Sequence, residues 1–111
     1  MTKVGLRRGK DTERAIARKV QGERLGNTVM ATPDVVSDGL VLECESRESL
    51  PLWLVKALTK VVTKAPHGKV PVVVLHQVGK KHDADIVCLR LRDFEALRQV
   101  QKVQTEKVIK R

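Results

Sequence analysis

The sequence predicts an α/β fold, a small mixed β-sheet flanked by helices, and three features of the chain carry that expectation. Leu54, Val55, Leu58, Val61, Val62 and Ala65 follow the three-and-four spacing of an amphipathic helix. Val70 to Val78 is a nearly continuous β-branched run, as expected of a strand covered on both faces, and Ala84 to Leu91 alternates Val87, Leu89 and Leu91 with Cys88 and Arg90. Pro33 to Arg47, PDVVSDGLVLECESR, places two short apolar runs about Ser37-Asp38-Gly39 and reads as a β-hairpin. A chain of 111 residues has room for one domain, spanning 1–111, with a modest core.

Met1 to Lys10 holds Lys3, Arg7, Arg8 and Lys10 with two glycines and reads as a mobile basic arm. Asp11 or Thr12 can cap a helix running to about Gln21, with Ala15, Ile16 and Val20 toward the core. Glu13 then falls in the first turn, where complementing the helix dipole is sufficient reason for an acid. Gly22 and Gly26 punctuate a loop that carries Arg24, a candidate phosphate contact, and Asn27 to Thr32 lead into the hairpin. Ser46 to Ser49 form a short loop, and Pro51 belongs to the first turn of the amphipathic helix, whose other side carries Lys56, Lys60 and Lys64. Pro66-His67-Gly68-Lys69 stops that helix, and Gly79 to Asp83, with Lys80 and Lys81, is a basic turn between the last two strands. Asp93 can cap a terminal helix bearing Phe94, Leu97 and Val100, which frays into the basic stretch Lys107 to Arg111. Trp53 and Phe94, the only aromatics, fit core faces, which argues against an aromatic platform for stacked bases.

The formal charge is +9, from 22 Lys+Arg against 13 Asp+Glu, and a polyanion is the natural partner of such a chain. The charge is uneven: residues 1–26 carry eight basic and three acidic side chains, whereas residues 27–50 carry one and five. Basic flanks around an acidic island suit a protein that holds a phosphate backbone and a metal ion side by side. The hairpin is the island. Its register brings Asp34 toward Glu43, and Glu43 and Glu45, two apart on a strand, point to one face. Three carboxylates at one spot repel one another unless a cation joins them, and hard oxygen donors select Mg²⁺, with Mn²⁺ as the second choice. The plain alternative is a solvated hairpin with ordinary surface acids.

Other chemistries leave no trace. There is no Walker or dinucleotide glycine loop and no Ser/His/Asp arrangement, and His67, His76 and His82 lack ligand spacing and read as incidental. Cys44 and Cys88 lie in apolar runs without metal spacing, which fits buried thiols in a reducing cytoplasm. No apolar run is long enough to span a bilayer and no signal segment follows the basic start, so a soluble cytoplasmic protein is expected, with no membrane partner.

The order of Glu13, Pro33-Asp34 and Glu43-Cys44-Glu45, followed by a helix and two strands, resembles the PD-(D/E)xK nuclease superfamily. Within it the chain is similar to the archaeal-type Holliday junction resolvases and their phage relatives, through GKDTERAIA, the PDVV hairpin, LECESRESLPLWL and KVPVVVLHQVGK. The resemblance covers nearly the whole chain. It implies a restriction-endonuclease-like core, a Mg²⁺-dependent endodeoxyribonuclease, four-way DNA junctions as substrate, and a homodimer with paired sites. The phage relatives extend the expectation to a phage-encoded protein acting in the host cell.

It also implies roles. Glu13, Asp34 and Glu43 match the metal-site acids, the Cys44 carbonyl a backbone ligand, and Arg7, Arg8, Lys10, Arg24, Arg47, Lys80 and Lys81 are the candidate DNA contacts. One position departs from the pattern: Glu45 stands where the family usually has the lysine that positions or activates the attacking water. Glutamate occurs there in some restriction endonucleases, with a comparable role, so Glu45 is either the general base or the mark of an impaired enzyme, with Arg47 and Lys56 as candidate stand-ins for the cation. Two other functions remain open on the same residues, a non-catalytic branched-DNA-binding protein and a nicking or restriction-type nuclease without junction preference.

Overall fold

The computed structural model describes residues 3–26 and 32–109, and the side chains of 8–26 and 32–106. Asn27 to Ala31 and the chain end from Lys110, to which the hairpin lead-in and part of the basic tail were assigned, lie outside the described residues, as does the Arg7 side chain. The elements are three helices and five short strands: α1 (Lys3–Lys19), β1 (Glu23–Arg24), β2 (Val35–Ser37), β3 (Leu40–Leu42), α2 (Leu52–Lys64), β4 (Val73–Leu75), a 3₁₀ turn (His82–Ala84), β5 (Ile86–Cys88) and α3 (Leu91–Ile109). This is a small α/β protein, but its strands form two separate antiparallel sheets, β1-β2-β3 and β4-β5, instead of the one mixed sheet expected. The chain divides into two compact units, Met1–Ser49 and Leu50–Arg111. Among the described residues no helix is long and apolar enough to cross a membrane.

In the first unit the helix begins earlier than its capping residues suggest. The expected mobile arm is helical from Lys3, and Thr12, expected near the cap, is inside α1 with its hydroxyl donating to the Arg8 carbonyl at 2.9 Å. A threonine bonded back to residue i−4 has no need to start a helix. The inward face is set by Glu13, Ile16, Ala17 and Val20, at i, i+3, i+4 and i+7. Ala17 and Val20 are buried with Val35 of β2, while Ile16, Leu42 and Cys44 are partly buried against them and Ala15 is exposed. Each fully buried valine contributes roughly 1.5–3 kcal/mol, so this cluster anchors α1 to the sheet.

Helix α1 ends in a Schellman turn. The Gly22 amide donates to the Ala17 carbonyl (2.8 Å), the Gln21 amide to the Arg18 carbonyl (3.3 Å), and Gln21 takes the left-handed φ of 54° usually left to glycine. Ser37 Oγ adds a bond to the Val20 carbonyl at 2.8 Å, tying the helix end to β2. Gly22 passes so close to β2 that a Cβ there would run into the Val36 carbonyl oxygen. Gly22→Ala is therefore expected to lower stability by about 1–3 kcal/mol, the usual range for overpacking against backbone, read as a drop in denaturation midpoint. An unchanged midpoint would refute this close contact.

In the second unit the amphipathic helix forms as its spacing predicts, with Pro51 as the residue before α2, its carbonyl accepting from the Leu54 and Val55 amides at 3.1 and 3.2 Å. The strands are shorter than expected. The run Val70 to Val78 supplies only β4, because Pro71 has no amide to give a ladder and Val78 enters a turn where it is 92% exposed. The stretch Ala84 to Leu91 likewise yields only β5, its first residue ending the 3₁₀ turn and its last opening α3. Trp53, expected in the core, is exposed, as are Val74, Ile86 and Val87, so neither strand of this sheet is covered on both faces.

Candidate functional site

The hairpin geometry follows from its pairs. Val35 faces Leu42, Val36 faces Val41 and Ser37 faces Leu40, with Asp38-Gly39 as a two-residue turn in which Gly39 adopts φ 74°. Continuing the register one step outward sets Asp34 across from Glu43. On the other side the Leu25 amide donates to the Asp34 carbonyl at 3.1 Å, extending the β1–β2 pairing. Asp34 is thus held from both neighbours, since its Oδ2 accepts the Cys44 amide at 2.7 Å.

Glu13 reaches the same place from the helix. It is not in the first turn of α1, which contains no acid, so the dipole does not account for it; it sits one turn before Ala17 on the inward face. Its side chain is 20% exposed and its Oε2 accepts a hydrogen bond from Arg24 Nε at 2.6 Å, the Arg24 side chain being 22% exposed. Arg24, expected in a loop as a phosphate contact, is in β1 and turned to this acid.

The electrostatics register the crowding. Glu43 is held above its ordinary value of 4.5 chiefly by repulsion from Asp34, then by partial desolvation, a hydrogen bond with the Asp34 carboxyl and repulsion from Glu13. The Cys44 thiol is pushed up by burial first and then by Asp34, Glu13 and Glu43. Burial and three nearby acids make the thiolate harder to form, which favours the backbone of Cys44 over its sulfur as the contact to this site. The structure therefore joins Asp34 to the Cys44 backbone and sets Glu43 and Glu13 near enough to act on one another, without closing the three carboxylates to within 4.8 Å.

Glu45 does not join them. It is 74% exposed, and its Oε2 accepts from Arg47 at Nε (3.1 Å) and Nη2 (3.0 Å). Of the other candidate DNA contacts, Arg8 and Lys10 are exposed on α1, and Lys80 and Lys81 are exposed in the second unit, as is Lys56 on α2.

The repulsion has a measurable consequence. An acid whose native pKa is raised stabilises the fold only while protonated; that contribution is complete below its unfolded value and is lost as pH rises through the native value. Glu43→Gln is accordingly expected to raise the melting temperature at neutral pH, with the gain vanishing below about pH 4.5. No gain at neutral pH would mean that Glu43 does not feel its neighbours.

Sequence spacing gave no warning of a second cluster. Among the described residues, the set of three His, Cys, Asp or Glu ligand atoms lying within 4.8 Å of one another is His76, His82 and Asp85, two of them histidines read as incidental. The usable signal was the β4–β5 register, where Leu75 faces Ile86 and the next pair outward is His76 with Asp85. Comparison with protein families, curated proteins and solved structures gives no match for this chain.

Proposed function

We propose that the chain is a Mg²⁺-dependent, structure-selective DNA endonuclease with a restriction-endonuclease-like core, in the first place a Holliday junction resolvase, that acts as a homodimer. The observation that supports this reading is the pairing of Asp34 with Glu43 across the open end of the hairpin, with Glu13 on the facing side of α1 near enough to add to the repulsion that raises Glu43. The donors are of the type a hard divalent ion takes, three carboxylates, with Mn²⁺ able to replace Mg²⁺, and their side chains would have to draw inward to hold it. Glu13, Asp34, Glu43 and the Cys44 carbonyl are the residues that would hold it.

Bound there, the ion would offset the charge that develops on the phosphoryl and leaving oxygens. The protein's own contribution is positional. The Cys44 amide fixes the Asp34 carboxylate, and the sheet fixes Asp34 against Glu43. Arg24, released from Glu13, and the exposed Arg8, Lys10, Lys80 and Lys81 would meet phosphates. Arg7 completes that set by sequence. Glu45, as base, would take the proton of the attacking water, for which it must exchange Arg47. Exposed apolar side chains on the second unit, Trp53, Val74, Ile86 and Val87, are material for an interface between copies.

The Glu45–Arg47 pair favours one other reading, a branched-DNA-binding protein that keeps the fold and does not cut. One experiment separates the two. Labelled four-way junctions and linear duplexes are incubated with the protein, with and without Mg²⁺. Paired incision of junctions only when Mg²⁺ is present supports the resolvase. Binding without incision in Mg²⁺ and Mn²⁺ supports the binder, equal cutting of duplexes a junction-blind nuclease, and no binding at all refutes the DNA reading.

A further inference from the structure

Three side chains at the open end of the β4–β5 sheet form a cluster that the acidic site does not use. Beyond the Leu75–Ile86 pair the register sets His76 opposite Asp85, and His76 Nδ1 lies 2.6 Å from Asp85 Oδ1. The 3₁₀ turn His82–Ala84 supplies the third member. Residues three apart in such a turn eclipse one another, so His82 falls over Asp85 with its Nδ1 3.1 Å from Oδ2. One carboxylate thus faces two imidazoles with a separate oxygen for each, and the rings stack with centroids 4.1 Å apart and 28° between planes. Asp85 is 14% exposed at its side chain and His82 82%, so the carboxylate is sheltered and the cluster is open on the histidine side. A cleft of about 340 Å³, lined by His76, Asp85, Gln77, Lys80 and Ala84 among others, lies beside it.

We propose that His76, His82 and Asp85 bind a borderline divalent transition metal, Zn²⁺ in the first instance. The donor set decides the class: two imidazoles and one carboxylate suit Zn²⁺, Co²⁺ or Ni²⁺, whereas Mg²⁺ and Ca²⁺ take oxygen. The distances are compatible. With zinc about 2.0–2.2 Å from each ligand atom in tetrahedral geometry, neighbouring ligand atoms stand roughly 3.3 Å apart, so the two N···O pairs need open by only a fraction of an ångström to about 0.7 Å. Side-chain rotation of an exposed histidine supplies that. Three protein ligands leave a fourth position for water or a small anion, and Lys80 in the adjoining cleft adds a positive charge. The site also has a structural use, because a two-stranded sheet whose Val74, Ile86 and Val87 are exposed gains from a cross-strand clamp.

This inference does not rest on the nuclease reading, and its test is built to be independent of it. The full chain carrying Asp34→Asn, which removes a central acid of the other cluster, is titrated with Zn²⁺ by calorimetry and with Co²⁺ by visible absorption. The expected result is one equivalent bound, with the intense visible bands of low-coordinate cobalt, and a rise in melting temperature. His82→Ala on this background, at an exposed position that does not endanger folding, and His76→Ala are each expected to weaken binding at least about tenfold. Absence of binding, or binding indifferent to both histidines in variants that keep the parent's circular dichroism, overturns the proposal.

Discussion

Asp34→Asn is expected to abolish junction cleavage in Mg²⁺ and to leave junction binding in metal-free buffer unchanged or tighter. The substitution keeps an oxygen to accept the Cys44 amide, so the hairpin should stay closed. What it removes is a charge at the centre of the acidic group, the one whose repulsion does most to raise Glu43. Loss of an ion held by Asp34 would remove at least one electrostatic contact to the reacting phosphate, a factor of at least about 10²–10³ in rate, or roughly 3–4 kcal/mol of barrier. On the proposed reading, binding would be carried by basic side chains and opposed by the acids, so removing an acid should not weaken it, and it should fall steeply with salt. If the folded variant loses affinity in gel shifts, Asp34 belongs to the binding surface and this division of labour is wrong.

Glu45→Gln should lower the cleavage rate about a hundredfold or more if Glu45 deprotonates the water, because the amide keeps size and hydrogen bonding but cannot take a proton. Glu45→Lys should retain measurable activity with a changed preference between Mg²⁺ and Mn²⁺, since it restores the cation usual in the family this chain resembles. Both variants release Arg47 from its present partner, so Arg47→Ala is the control for that side effect. A Glu45→Gln protein as fast as the parent rejects the base. An inert parent beside an active Glu45→Lys variant identifies a lapsed nuclease.

The acidic hairpin was legible because everything that defines it is local. Asp-Gly marks the turn, alternation marks the faces, and the Asp34–Glu43 pair follows from a register closed by two residues. Glu13 was set beside the hairpin acids only through resemblance, since a helix taken to start at Asp11 or Thr12 puts it in the first turn, where the dipole alone is reason for an acid. That start was misread because Gly5 and Gly9 look like punctuation. Each costs a helix about 1 kcal/mol, but Leu6, Arg7 and Arg8 between them are good helix formers. The strands of the second unit were overestimated because a β-branched run states a preference and not a pairing, and pairing stops where Pro71 and the 3₁₀ turn stop it. The histidines were missed for the converse reason: His76 and His82 have no relation in sequence until β4 and β5 are laid side by side.

The ion pair between Arg24 and Glu13 ties the two ligands of the proposed enzyme together. As long as the guanidinium occupies the Glu13 carboxylate at 2.6 Å, it does for that acid what a divalent ion would do, and it is withheld from phosphate. An ion that takes Glu13 sets Arg24 free, and a phosphate that takes Arg24 sets Glu13 free. The two binding events are then cooperative, and by reciprocity DNA must raise the affinity for Mg²⁺ by the same factor by which Mg²⁺ raises the affinity for DNA. An enzyme wired in this way holds its metal loosely between substrates and tightly on them, so that hydrolytic competence is acquired at the junction and is given up with the product.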